Sequence, residues 1–342
     1  MALKGRVLGL ALTVLFLWLA VQQVDPSKLG SELARVNYLW LVPSGLSTLV
    51  GYGLRTARWR AILSGEARAG MRTLFPILIM GFATNNLLPG RLGEFWRAYL
   101  LGRKRNVRKS AALASVVVER LFDGIVLILI LSIVARVVPL PALGQQVQVL
   151  ATAIFLVATL GMALILWKPV LVQVLLRMAL RPAPERIRQW VESVSAAFLD
   201  GLAPLRSPSV LLVAAVFSAG VWLFEGASYY LLSRGTNLGL EAAMELPAMG
   251  LTLVMINLGI MVPAAPGYVG TQEFFGKQAL GVFGVDPESA LALVLVSHAV
   301  QYALVTGLGL AFFAREHLWP SSLARVTAAV AARGAPDPKP LS

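Results

Sequence analysis

The sequence predicts an all-α polytopic membrane protein, with about six full transmembrane helices and two re-entrant helical hairpins in an inverted repeat. Three observations predict this class: the composition, the long apolar runs and the sorting of basic residues along the chain. Of the 342 residues, 57% are hydrophobic and only 14% are charged, with a mean hydropathy of +0.74. Soluble globular proteins carry about 25% charged residues, so this composition excludes a cytosolic enzyme, a coiled coil and a disordered chain. The absence of cysteine excludes disulfides and thiol chemistry.

Six apolar runs approach the roughly 20 residues that a helix needs to cross about 30 Å of hydrocarbon. The first run follows Lys4 and Arg6 but lacks a small-residue cleavage site, so we interpret it as an anchor rather than a signal peptide. The six runs are 5–24, 38–54, 111–135, 147–167, 209–232 and 289–314.

The basic residues fix the orientation, because cytoplasmic loops are enriched in Lys and Arg. A cytoplasmic N-terminus places most of the 30 basic residues inside, including Arg55 and Arg58 in a loop after the second run. Both flanks of 74–105 are then inside and both flanks of 247–284 are outside, so each region is predicted to be a re-entrant hairpin. Broken backbone at membrane depth needs a covering of protein or a water-filled cavity, so we expect the two hairpins to meet inside the protein.

These assignments give a multi-pass protein of the cytoplasmic (inner) membrane with both termini cytoplasmic. Residues 1–319 are expected to form one transmembrane domain. Basic amphipathic helices over 168–208 are expected to lie on the cytoplasmic surface. The proline-rich tail, 320–342, is predicted to be disordered.

The two hairpins share a sequence pattern, which is Pro-Gly-x-[Leu/Val]-Gly followed by Glu, Phe and a second aromatic residue. The second copy carries a two-residue insertion before its Glu, and three full spans separate the copies, so the repeat is predicted to be inverted. Inverted repeats with broken helices are typical of transporters, which bind substrate at the repeat interface. The predicted turn residues are Pro89, Gly90, Gly93, Pro266, Gly267 and Gly270.

The span that begins at residue 111 carries Glu119, Arg120 and Asp123 near the bilayer centre, where charged groups are costly. Glu119 and Asp123 share a helix face, and Arg120 can reach Asp123 at i+3. The group is either an ion cluster that locks two helices together or a substrate-facing or coupling site. His298 takes the place of Glu119 in the second repeat, either as a packing residue or in a functional role.

Arg91, Glu94 and Arg97 recur at i+3 after the first turn. Free N–H groups at the start of a helix and an arginine fork together favour a phosphate. Alternatively, Arg91 and Arg97 simply pair with Glu94 or extend to the interface. The second turn has Tyr268 in place of Arg91, and its hairpin carries Glu273 and Lys277. The candidate substrate-binding residues are Arg91, Glu94, Arg97, Glu119, Arg120, Asp123, Glu273 and His298.

The chain lacks nucleotide-binding and hydrolase motifs and the histidines and cysteines of a metal centre, so we expect no cofactor and no metal. The expected partners are membrane lipids, with anionic phospholipid headgroups foremost, and not nucleic acid. A homo-oligomer or an association with lipid enzymes is left open.

Three sequence stretches carry a resemblance to a known family: Asn85-Asn86-Leu87-Leu88-Pro89-Gly90-Arg91-Leu92-Gly93-Glu94, Glu119-Arg120-x-x-Asp123, and Pro263-x-x-Pro266-Gly267-x-x-Gly270-x-x-Glu273. Together they resemble the transmembrane domain of lysylphosphatidylglycerol synthase/flippase proteins over about residues 5–315. The resemblance implies a relative of the domain that flips aminoacylated phosphatidylglycerol between leaflets. The large synthase domain has no counterpart here, so we expect neither lysyl transfer nor, necessarily, a lysylated lipid.

The function predicted from the sequence is transport of a phospholipid or other anionic lipid between leaflets, through a cavity between the hairpins. A transporter is favoured over an enzyme. Two alternatives remain: a membrane-embedded enzyme that acts on a lipid or polyprenyl-phosphate, with Glu119 or Asp123 as general base, and a non-catalytic partner of lipid or cell-envelope synthesis enzymes.

Overall fold

The computed structural model describes residues 2–64, 69–88, 91–105, 107, 109–139, 142–261 and 266–317. Over these ranges the chain forms thirteen α-helices and three short 3-10 helices, and no strand. The all-helical class is therefore confirmed. The helices are α1 (Ala2–Val21), α2 (Pro26–Arg35), α3 (Leu41–Ile62), α4 (Met71–Leu87), α5 (Gly93–Arg105), α6 (Lys109–Val137), α7 (Ala142–Trp167), α8 (Pro169–Ala179), α9 (Glu185–Gly201), α10 (Pro208–Ser233), α11 (Ala242–Gly259), α12 (Thr271–Gly281) and α13 (Pro287–Arg315).

Several helices have the dimensions of membrane spans. Within the described ranges, four helical segments are long and apolar enough to cross a bilayer by length and composition. Helix α6 has 29 residues and is about 44 Å long, but three of its five charged residues, Glu119, Arg120 and Asp123, lie near its middle. A polytopic membrane protein is consistent with this architecture. The four candidate segments are Gln148–Trp167, Pro208–Ser233, Ala242–Gly259 and Pro287–Arg315.

Helix α3 is longer than the apolar run that predicts it. The assignment of Arg55 and Arg58 to a cytoplasmic loop after residue 54 was wrong, because α3 continues to Ile62 and buries both side chains. The helix continues because one of its faces packs along α10, where the Ser47 hydroxyl donates to the Phe224 carbonyl oxygen at 2.7 Å. The two arginines therefore lie inside the helical bundle.

The two predicted hairpins form two pairs of packed helices, α4 with α5 and α11 with α12. In the first pair the backbones nearly touch, since a Cβ on Gly93 would lie 1.8 Å from the Gly81 carbonyl oxygen. Only glycine fits such an approach. The Gly93 N–H donates to Asn85 Oδ1 at 2.7 Å, which holds the start of α5 against α4. The path of either pair through a membrane stays a prediction.

Helix α1 packs on the second pair, against α12. The Phe16 ring lies 5.6 Å from the ring of Phe274 and 5.7 Å from that of Phe275. The Lys277 ammonium group donates to the carbonyl oxygens of Leu19 and Gln22, at 3.3 and 2.8 Å. These carbonyls belong to the end of α1, where a cation satisfies free acceptors and complements the helix dipole.

The segment 168–208 forms α8 and α9, as the amphipathic pattern predicts. Both helices expose apolar side chains, among them Leu171, Leu175 and Trp190. Their position on a membrane surface stays a prediction. The predicted disorder of 320–342 concerns residues outside the described ranges.

Candidate functional site

The turns of the two helix pairs meet at a polar chamber of about 100 Å³. Arg91 from the first turn lines the chamber together with Gly267 and Tyr268 from the second. A Cβ on Gly267 would lie 3.4 Å from the Asn86 carbonyl oxygen at the end of α4, so the turns are in contact. Arg91 and Tyr268 have φ angles of 54° and 60°, an uncommon conformation for residues other than glycine. The two turns thus present corresponding residues through the same left-handed backbone.

Asp123 of α6 is the most densely contacted carboxylate beside this chamber. Its Oδ1 accepts from Arg58 Nη1 at 2.7 Å and from Trp222 Nε1 at 3.1 Å. Its Oδ2 lies 3.5 Å from Arg120 Nη1 and 3.8 Å from Arg55 Nη1. Asp123 is only 4% exposed, and a buried carboxylate requires such cationic partners. The predicted i+3 pair of Arg120 and Asp123 is confirmed, but it is one contact among four.

Two further groups join this cluster from α10. The Arg58 guanidinium also donates to Ser218 Oγ at 2.9 Å. Arg55 Nη2 lies 3.6 Å from Glu225 Oε2, and the Arg55 guanidinium carbon lies 5.1 Å from the centre of the Trp222 ring. Glu225, whose role the sequence left open, is therefore the partner of Arg55. The cluster ties α3, α6 and α10 together by charge.

Sequence reasoning missed Arg55 and Arg58, although a signal was present. Small or polar residues follow one another at three- and four-residue spacing along α3, through Ser44, Ser47 and Gly51, and the two arginines continue this series. Such a stripe marks one helix face. The two arginines were instead assigned to a cytoplasmic loop on the basis of their charge, so their place on this helix face was not recognised.

Arg97 and Glu119 form a separate ion pair behind the chamber. Both side chains are buried, and the Arg97 guanidinium carbon lies 4.4 Å from the centre of the Trp59 ring. The Trp59 indole N–H donates to Ser115 Oγ at 2.9 Å. This arrangement fastens α5 to α6 and α3. It places Arg97 and Glu119 away from the chamber lining, so a direct contact with substrate there does not follow from the structure.

Arg91, Glu94 and Arg120 form a more open group at the edge of the chamber. Arg91 Nη2 lies 3.4 Å from Glu94 Oε1, and Arg120 Nε lies 3.7 Å from the same oxygen. The Arg91 and Arg120 side chains are 26% and 34% exposed, against 1% for that of Arg58. Arg120 also contacts Asp123, so this group is connected to the cluster above, and together four arginines face three carboxylates, which leaves one positive charge in excess. The two arginines are therefore the best placed of the predicted residues to meet an anion.

Glu273 and His298 form a hydrogen-bonded pair on the opposite side of the chamber. His298 Nδ1 lies 2.5 Å from Glu273 Oε1, and His298 Nε2 lies 2.7 Å from the Gly267 carbonyl oxygen. The other Glu273 oxygen accepts the Gly270 N–H at 2.6 Å. Both imidazole nitrogens thus lie within hydrogen-bond distance of an oxygen, and these contacts hold the ring between Glu273 and the second turn.

An apolar groove of about 410 Å³ adjoins the polar chamber. Its walls include Val117, Leu121 and Leu127 of α6 with Phe155 and Met162 of α7. The groove and the chamber share lining residues, so they lie next to each other. The shared residues are Arg91, Arg120, Trp222, Asn257 and Ile260.

Of the predicted turn residues, Gly93, Pro266, Gly267 and Gly270 lie where the turns require them. Gly267 and Gly270 have positive φ angles of 69° and 85°, a region that glycine enters without strain. Pro89 and Gly90 lie outside the described residues. Within the described ranges no group of three or more His, Asp or Glu side chains is placed to hold a metal ion.

A family profile described as the lysylphosphatidylglycerol synthase TM region matches residues 6–309 of the chain. A UPF0104 membrane protein of Methanothermobacter thermautotrophicus is 24% identical over 325 residues, which covers 90% of this chain and 94% of that protein. UPF0104 membrane protein MJ1078 of Methanocaldococcus jannaschii is 23% identical over 234 residues, covering 67% of this chain and 92% of that one.

A longer relative is named glycosyltransferase AglD, from Haloferax volcanii. It is 26% identical over 341 residues, and the match covers 89% of this chain but only 53% of the relative. The chain thus spans about half the length of that protein. No solved structure matches the chain significantly.

Proposed function

This chain belongs to the family of the lysylphosphatidylglycerol synthase transmembrane region, and from that premise we propose that it transports an anionic lipid across the cytoplasmic membrane. The headgroup occupies the polar chamber while the acyl or prenyl chains lie in the apolar groove. The observation that carries this proposal is that the polar and the apolar space adjoin each other and share five lining residues. A lipid has the same division into a polar and an apolar part.

The position of the two accessible arginines supports a phosphate at the junction. Arg91 and Arg120 line both spaces, and in a phospholipid the phosphate joins the headgroup to the chains. The planar guanidinium can bind two phosphate oxygens at once. Glu94 lies within 4 Å of both arginines, but the connected group of four arginines contains only three carboxylates, Glu94, Asp123 and Glu225. A bound phosphate would supply the missing negative charge.

We further propose that the two helix pairs are re-entrant hairpins related by an inverted repeat, with both chain termini cytoplasmic. The matching left-handed turns at Arg91 and Tyr268 support this symmetry. In each half a side chain of the helix after the turn also pairs with the following long helix, Arg97 with Glu119 and Glu273 with His298, although Arg97 and Glu273 are not corresponding positions of the repeat. Movement of one half against the other would expose the chamber to each leaflet in turn.

The proposed topology can be tested directly, because the chain contains no cysteine. A single cysteine in place of Gly70 or Arg103 reports the two ends of the first pair. Asn237 and Asp286 serve the same purpose for the second. An impermeant maleimide should label the first two positions only from the cytoplasmic side and the other two only from outside. Labelling of the two ends of one pair from opposite sides would refute the re-entrant course.

Transport can be tested by leaflet-resolved lipid movement in proteoliposomes that contain the full chain. Replacement of Arg91 by Gln removes one of two guanidiniums at the junction, and a charge-assisted hydrogen bond is worth about 1.5–3 kcal/mol. We expect the rate to fall about tenfold or more. Arg35→Gln is the matched control, since Arg35 also pairs with a glutamate at i+3 but is exposed and remote from the chamber. Equal rates for the wild type and Arg91→Gln would refute the proposed site.

A membrane-embedded enzyme is the second candidate, because one relative carries the name glycosyltransferase. It would require a free general base. The two buried carboxylates proposed for that role are already engaged, Glu119 by Arg97 and Asp123 by Arg58. Mass spectrometry of lipids incubated with the purified protein separates the candidates, because an enzyme forms a new lipid species and a transporter does not.

A further inference from the structure

We infer that the chamber selects a lipid whose phosphate carries a polyhydroxyl headgroup, either a polyol or a single sugar ring, and that it discriminates against headgroups bearing an amine. This inference rests on the proposed transport function and names its substrate class. It follows from the chemistry of the chamber lining, which combines amides, aromatic rings and surplus arginine.

The lining is rich in carboxamides, which match hydroxyl groups. A carboxamide both donates and accepts hydrogen bonds, and so does a hydroxyl, whereas an ammonium group only donates. A polyol therefore pairs with these side chains in either direction. The five carboxamides of the lining are Asn85, Asn86, Asn257, Gln272 and Gln301.

Gln272 gives the most direct indication of a missing polar ligand. The residue is 5% exposed, and its Nε2 has no hydrogen-bond partner among the described residues. A buried donor left without an acceptor costs free energy. Native proteins therefore retain such a donor where a ligand or a water molecule accepts its hydrogen bond. Gln272 follows the second turn directly and lines the chamber. A headgroup oxygen in the chamber would accept its N–H.

The charges of the lining disfavour an amine. Three arginines line the chamber, Arg55, Arg91 and Arg120, and the one carboxylate among the lining residues is Glu225. Glu225 lies 3.6 Å from Arg55, so its charge is already matched. An ammonium group in this space would meet arginine without a free carboxylate. A phosphate with uncharged hydroxyls would be attracted by the arginines and would need no carboxylate partner.

The aromatic residues and the volume agree with a small polyol. Rings of Tyr52, Trp222 and Tyr302 border the chamber, and they offer apolar faces to the C–H groups of a polyol, together with the O–H groups of the two tyrosines. A cavity needs about 10–15 Å³ to hold one water molecule. A chamber of about 100 Å³ therefore has room for one polyol or one sugar ring rather than for an oligosaccharide.

Calorimetric titration of the full chain with three probes tests the inference. The probes are dihexanoyl phosphatidylinositol, dihexanoyl phosphatidylethanolamine, which has the same chains and phosphate but an amine, and free inositol 1-phosphate. We expect the inositol lipid to bind at least tenfold more tightly than the ethanolamine lipid. Equal affinities, or preference for the amine, would overturn the inference. If the protein binds the two lipids equally but still moves lipids between leaflets, the proposed transport function stands and only the headgroup selectivity is refuted.

Substitutions identify the groups responsible. Gln272→Leu should weaken the inositol lipid about threefold to tenfold, the cost of one hydrogen bond, and leave the ethanolamine lipid within twofold. Asn257→Leu, at the junction with the groove, provides a second variant should Gln272→Leu fold poorly. Gln189→Leu on the exposed face of α9 is the control. An unchanged ratio of the two lipids in both chamber variants would overturn the assignment.

The free phosphate separates headgroup recognition from lipid binding. If inositol 1-phosphate binds more weakly than its lipid, the groove contributes and the ligand is a lipid. If it binds as tightly, the headgroup chemistry is upheld while the proposed transport of a lipid is refuted.

Discussion

Replacement of Asp123 by Asn is expected to destabilise the protein by about 3–5 kcal/mol, the range for an uncompensated charge in a buried ion pair. Asparagine retains the shape and an acceptor for the Trp222 indole, so the change isolates the charge. Among the described contacts, Arg55 keeps Glu225 and Arg120 keeps Glu94. Arg58, whose side chain is 1% exposed, has no other carboxylate within 4 Å among the residues that the structure describes. Most of the lost stability therefore comes from Arg58, whose buried positive charge loses its carboxylate partner.

This reasoning predicts the sign of a second substitution. In the Asp123→Asn background, Arg58→Met removes the unmatched cation and should restore part of the lost stability. In the wild-type background the same substitution should destabilise the protein, because it leaves Asp123 with longer contacts only. Unfolding free energies measured by titration with a denaturing detergent decide the matter. Additive losses in the double variant would refute the reasoning. Glu185→Gln, in an exposed pair with Arg188, is the control and should cost less than about 1 kcal/mol.

Two further predictions concern backbone approach and helix docking. Gly93→Ala would force a methyl group to within 1.8 Å of the Gly81 carbonyl oxygen, so we expect loss of folded protein on gel filtration, whereas Gly161→Ala on α7 has open space and should be neutral or stabilising by up to about 1 kcal/mol. Lys277→Met removes the ammonium group that donates to Gln22, so α1 should be cleaved faster in limited proteolysis, and cleavage at the wild-type rate would contradict a docking role for this lysine.

The sequence predicts helices well where hydrophobicity alone decides them. The long runs near 147–167, 209–232 and 289–314 became α7, α10 and α13 with small shifts at their ends. The second run, 38–54, fell short because helix continuation past residue 54 depends on tertiary partners. Arg55 and Arg58 are tolerated inside because Glu225 and Asp123 lie opposite them. These ion pairs join residues that are far apart in the sequence, so no local sequence pattern predicts them.

The candidate site shows the same division. The Pro-Gly pattern and the polar residues within the apolar runs singled out Arg91 and His298, and both line the chamber. The individual roles were less predictable. Arg97 and Glu119 turn toward each other behind the chamber, and Gln272 lines it although no charge marks it in the sequence. Which side of a helix faces a cavity is set by how the helices pack, and sequence spacing constrains that only loosely.

The docking of α1 on the α11–α12 pair has a practical consequence for work with this protein. A Cβ on Gly270 would lie 2.8 Å from the Leu17 amide nitrogen, so α1 rests directly against the turn beside the chamber. Any displacement of that turn must carry α1 along or break the lysine contacts at its end. A fluorescent reporter fused before residue 2 would therefore report movement of the α11–α12 pair. A bulky affinity tag at the same place would hinder that movement.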